Sequence, residues 1–77
     1  MNTDTAIDMN AKAIAATLEA LHFTLVDAIR LSAEAHELMQ RGERNGAIGA
    51  ALGLDVVLED AKSLYGAALA LHRTRAS

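Results

Sequence analysis

The stretch Arg41-Gly42-Glu43-Arg44-Asn45-Gly46 (RGERNG, residues 41–46) decides how this chain folds, because it is the one strong interruption of an otherwise continuous helical pattern. Upstream, from Thr5 to Arg41, there is neither glycine nor proline. Apolar or small residues recur there at 7, 11, 14, 18, 21, 25, 28, 32, 35 and 39, in alternating steps of four and three. That spacing keeps one stripe on one side of a helix. Downstream a second stripe runs through 47, 50, 54, 57, 61, 64, 68 and 71. One break between two stripes predicts a single antiparallel hairpin: helix 1 over about 5–41, a turn over about 42–46 and helix 2 over about 46–73.

The ends of the two helices carry their own signals. Thr5, with Asp8 three residues on, reads as an N-cap with an acidic first turn, and Thr3 and Asp4 offer alternative caps. Gly42 suits the left-handed C′ position that closes a helix, and Asn45 is available to cap the next one. Beyond Arg73 the chain is expected to fray. Folding back about residue 44 or 45 places Leu18 level with Leu71, Leu21 with Ala68, Leu25 with Leu64, Ala28 with Ala61, Ser32 with Val57, Ala35 with Leu54 and Met39 with Ala50. On one flank His22 falls near Tyr65 and Ile29 near Leu58. The seam residues expected from this are Leu18, Leu21, Leu25, Ile29, Leu54, Val57, Leu58, Leu64 and Leu71.

Composition bounds what such a hairpin can be. Seventy-seven residues bury only about 60% of the surface of the unfolded chain, so a lone domain of this size is marginal. Cysteine is absent, which removes disulfides as a staple, and association is the remaining route to stability. Seven Lys and Arg against ten Asp and Glu give a net charge of −3, which argues against tracking nucleic-acid phosphates or anionic lipid. The longest uncharged runs, such as Asn45 to Leu54, fall far short of the roughly 20 apolar residues that span a bilayer, so no membrane segment is expected. With Asp4 and Asp8 where a secretory signal carries positive charge, the expected location is cytoplasmic.

Two helices cannot enclose a core, since each covers only one side of the other. The stretch Glu19-Ala20-Leu21-His22-Phe23-Thr24-Leu25-Val26 is apolar on more sides than one neighbour covers. Phe23 and Val26 on helix 1, and Ile48 and Leu52 on helix 2, lie outside the expected seam, with Val56 and Leu69 beside them. They are read as contacts between chains. The closed solution is a two-fold pair of hairpins, a homodimeric four-helix bundle, in which burying Phe23 is worth about 1.5 to 3 kcal/mol per subunit. A different, unknown protein is the other partner such a face could take.

Each chemical motif has a structural reading beside it. Glu19 and His22 form a Glu-x-x-His pattern of the kind that holds di-iron or di-manganese sites in bundles, but Glu19 and Glu59 fall on outer positions and lie about nine residues apart in height. His22 and His36 are fourteen residues apart, about 21 Å along a helix, too far to share a metal. The serines Ser32, Ser63 and Ser77 come with no base and orienter. Gly42, Gly46, Gly49 and Gly53 lie on one side of a helix, where small residues admit a close neighbour. A phosphate loop needs a preceding strand and a following Lys that are missing. Residues 47–54 resemble the first helix and turn of a helix-turn-helix reader, yet the next segment, Asp55-Val56-Val57-Leu58-Glu59-Asp60, is acidic where phosphate contacts need Lys and Arg. The sequence therefore leads to an all-α, non-catalytic interaction or scaffolding module with no cofactor and no catalytic residue. A nucleic-acid regulator using bundle faces and a carboxylate/histidine metal site stand as alternatives.

Overall fold

The computed structural model describes the backbone of residues 2–76 and the side chains of residues 8–74. The side chains of Thr3, Asp4, Thr5, Ile7 and Ser77, read above, thus lie outside the described set. Helix α1 spans Asn2–Gln40 and helix α2 spans Arg44–Ala76, 39 and 33 residues, leaving only residues 41–43 between them. The chain is an all-α helical hairpin.

The reversal is made by Gly42, whose φ of 79° is open to glycine at no steric cost. Its N–H donates to the Met39 carbonyl at 3.0 Å, and the Glu43 N–H donates to the Leu38 carbonyl at 2.9 Å. This pair of bonds is the Schellman arrangement, which satisfies carbonyls that the end of α1 would otherwise leave open. The Glu43 carbonyl already accepts the Ala47 N–H at 2.9 Å, so α2 starts one residue later, at Arg44. Three expectations change here. Asn45 lies inside the first turn of α2 rather than capping it, because the Schellman turn hands the chain directly to the new helix. Thr5, Thr3 and Asp4 are within α1, since no glycine or proline stops the helix from starting at Asn2. At the other end α2 continues past Arg73 to Ala76.

On α2 the buried or half-buried stripe is Ala47, Ala50, Leu54, Val57, Ala61, Leu64, Ala68 and Leu71. On α1 the corresponding stripe is Asn10, Ile14, Thr17, Leu21, Thr24, Ala28, Leu31, Ala35 and Leu38. Four of these nine, at 14, 21, 28 and 35, match the spacing expected from the sequence; the other five sit one residue earlier, at 10, 17, 24, 31 and 38 in place of 11, 18, 25, 32 and 39. Polarity at 17 and 24 is compatible with the seam because each hydroxyl is satisfied within its own helix: Thr17 Oγ1 donates to the Ala13 carbonyl at 2.8 Å and Thr24 Oγ1 to the Ala20 carbonyl at 2.9 Å. Leucines fill the turn-proximal half. Leu38 Cδ1 stands 3.5 Å from where a Cβ of Gly46 would lie, and Leu31 Cδ1 makes the same 3.5 Å approach to Gly53. Both pairs are symmetric about residue 42, so the hairpin is centred nearer the turn glycine than 44 or 45 and the layer pairs shift accordingly.

Asn10 ties the far ends together, its Nδ2 donating to the Leu71 carbonyl at 3.0 Å. The result is a rod, 62 × 14 × 11 Å, with a radius of gyration of 17.7 Å against the roughly 11–12 Å of a compact domain of this length. Its accessible surface, 5791 Å², exceeds the about 4,500 Å² usual for a folded monomer of this mass.

Candidate functional site

Among the described residues the buried apolar set is Ala47, Ala61 and Ala68, and no large side chain is fully buried. The large apolar side chains lie instead along the outside of the rod, and their distribution is uneven. On α1, Leu18, Leu25 and Met39 flank the seam on one side, with Ile29 just beyond. On α2, Leu58 and Tyr65 flank it with Ile48 and Leu69 beyond. In an antiparallel pair, these two flanks fall on the same side of the hairpin, because reversing one helix reverses the sense in which its residues wind. One broad side is therefore apolar from α1 across to α2. Of the positions immediately beside the seam there, Ala11, Leu18, Leu25, Ser32 and Met39 on α1 and Arg44, Ala51, Leu58, Tyr65 and His72 on α2, only Arg44, at the turn end, is an Asp, Glu, Lys or Arg.

The opposite side of the hairpin has another chemistry. Arg30 pairs with Asp27 at 3.2 Å and Glu34 at 3.8 Å, and Arg41 with Glu37 at 3.9 Å and Glu43 at 3.3 Å. All of these groups are more than half exposed, so each pair adds little to stability. What they do is mark the turn-proximal half of α1 on this side as solvated, while Phe23 and Val56, at 64% and 67% exposed, lie on the same side of the hairpin. The ion pairs also occupy two of the seven cationic side chains, leaving less for a polyanion to engage.

Of the expected seam residues, Leu21, Leu54, Val57, Leu64 and Leu71 are half-buried between the helices. Leu18, Leu25, Ile29 and Leu58 are not; they belong to the apolar side, displaced from the seam by the one-residue shift on α1 and, for Leu58, by its place beside rather than within the α2 stripe. Phe23, Val26, Ile48 and Leu52 are all exposed, Phe23 at 64%. They do not form one patch: Phe23 is about 160° round α1 from Leu25, near the charged side, whereas Ile48 borders the apolar side.

The chemical motifs stay apart. Glu19 and His22 are both exposed, and no group of three or more His, Cys, Asp or Glu side chains able to hold a metal ion occurs among the described residues. The His22 ring lies against its neighbour Phe23, centroids 5.6 Å apart, and no hydrogen bond joins it to Tyr65 among those residues. Of the glycines expected to admit a close neighbour, Gly46 and Gly53 do so, while Gly49 faces open space. No helix of the described residues is long and apolar enough to cross a membrane. Asn10 is the functional candidate that sequence reasoning missed: a polar side chain at a seam position, signalled only by its step of four from Ile14.

These features define a class by architecture, a two-helix antiparallel hairpin with an unpaired apolar side. Compared with protein-family models, with curated proteins and with solved structures, the chain matches none of them.

Proposed function

We propose that the chain is a non-catalytic, self-associating hairpin that works as a cytoplasmic protein-interaction or scaffolding module, two copies closing into a four-helix bundle. The observation that carries this reading is the absence, among the described residues, of any fully buried large side chain in a rod with 5791 Å² of accessible surface. A second hairpin laid on the apolar side supplies the missing layer: Leu18, Leu25, Ile29 and Leu58, about half exposed in the single hairpin, pass from water into a core at roughly half the 1.5 to 3 kcal/mol of a full burial for each side chain. Isologous pairing is the simplest closed arrangement for one kind of chain. The bundle then presents its ion-paired sides and Phe23 outward, as the surfaces on which other molecules act.

Thermal unfolding at several protein concentrations tests the reading. If folding and association are one event, the melting temperature rises with concentration by mass action. A melting temperature that is the same over a hundredfold range of concentration contradicts it.

A further inference from the structure

Self-association leaves two ways of setting one hairpin on the other, and the charges bordering the apolar side distinguish them. We propose that the two copies lie with their turns at opposite ends, α2 antiparallel to α2 and α1 antiparallel to α1, so that Asp55 of each chain meets Lys62 of the other. This deepens, and rests on, the self-association reading.

Ile48, Asp55, Lys62 and Leu69 stand seven residues apart on one edge of α2, the edge next to Leu58 and Tyr65. Asp55 and Lys62 are both exposed and take part in no ion pair among the described residues, where Lys12, Arg30 and Arg41 do. Turning α2 upon itself about residues 58–59 places Ile48 opposite Leu69 and Asp55 opposite Lys62, each pair occurring twice by symmetry, and brings Leu58 onto its own copy. Like meets like and charge meets countercharge. On α1 the same operation about residue 25 brings Leu25 onto its copy and sets His22 against Ile29.

A single two-fold axis has to serve both helices, and the hairpin allows it. From the layer where Leu31 meets Gly53, Leu25 lies six residues and Leu58 five residues away from the turn, about 9 and 7.5 Å along the rod. The two self-contacts thus fall at nearly one height, whereas the next permitted register is half a heptad, about 5 Å, away.

With the turns at the same end, α2 would instead face α1 of the second copy at equal heights. Asp55 would then lie against Ile29, Lys62 against His22 and Ile48 against His36, which desolvates charges on partners that cannot answer them. At the ends of the antiparallel stripe Arg44 comes level with His72 of the second copy, so the charge match selects the arrangement at its middle. The apolar side chains covered are about half exposed in the single hairpin and amount to something on the order of 700 Å² per chain, close to the roughly 800 Å² per partner of a standard stable interface.

The test is a charge reversal read by sedimentation equilibrium. Asp55→Lys alone and Lys62→Asp alone each place like charges together at two symmetric sites and are expected to weaken the dimer about tenfold, while the double variant returns it to within about twofold of the natural chain. Singles without effect, or a double variant no better than the singles, overturn the arrangement, whereas a natural chain that is monomeric overturns self-association itself. A second readout uses the lack of natural cysteine: Glu43→Cys, at the turn, is expected to give no disulfide-linked dimer on oxidation, and a rapidly linked dimer at the same concentration places the turns together and overturns the proposal.

Discussion

At position 42 any side chain other than hydrogen would meet its own backbone, because φ is 79° there. Gly42→Ala is therefore expected to destabilise the protein by about 1 to 2 kcal/mol, measured as the loss in urea-unfolding free energy. Gly49 is the control. It lies within α2 with nothing within 4 Å of where a Cβ would stand, so Gly49→Ala should stabilise by up to about 1 kcal/mol through helix propensity alone. Opposite signs for one chemical change at two glycines separate backbone conformation from composition. The role of Gly42 was legible in the sequence, since a glycine closing a long pattern without breakers has few other uses. The role of Asn10 was not: its bond to the Leu71 carbonyl spans 61 residues, and its Oδ1 is buried with no hydrogen-bond partner among the described residues. Nothing local foretells such a contact.

At the scale of the elements, the two helices differ in how far sequence could read them. The seam of α2 coincides with its sequence stripe because Val57, Leu64 and Leu71 are more uniformly apolar than Leu58, Tyr65 and His72, the alternative set that shares positions 47, 54, 61 and 68. On α1 the positions 14, 21, 28 and 35 are shared by two overlapping stripes. One runs through Thr17, Thr24, Leu31 and Leu38, and the other through Leu18, Leu25, Ser32 and Met39. Hydrophobicity favours the second near the middle of the helix, yet α2 covers the first, since the threonine hydroxyls bond their own helix and the glycines at 46 and 53 receive the two leucines. Periodicity shows that a helix has apolar sides; it does not say which neighbour covers which. The distinction is measurable. Leu31→Ala should cost about 2 kcal/mol by opening space over Gly53, while Ser32→Ala, one residue on and exposed, should change stability by less than about 0.5 kcal/mol. Equal effects would contradict the seam described.

For the whole molecule, a rod 62 Å long and 14 Å wide gives its large side chains no interior of their own. The surplus of apolar positions over what one neighbouring helix covers was legible in the sequence and, with the length and the lack of cysteine, is the ground for the proposed partner. Which side would meet that partner was not, because it depends on the one-residue shift of the α1 seam that moves Leu18 and Leu25 outward. On this account Leu25→Glu and Leu58→Glu each bury two like charges against one another near the two-fold axis and reduce the chain to monomers, while Phe23→Glu, on the other side of α1, leaves assembly intact. Loss of the dimer with Phe23→Glu but not with Leu25→Glu would assign the interface to the wrong side. The most direct measurement of the central claim is sedimentation equilibrium of the full chain over a wide range of concentration. A mass twice the 8.1 kDa of a single chain is the predicted result, and a mass of one chain at every concentration would contradict it.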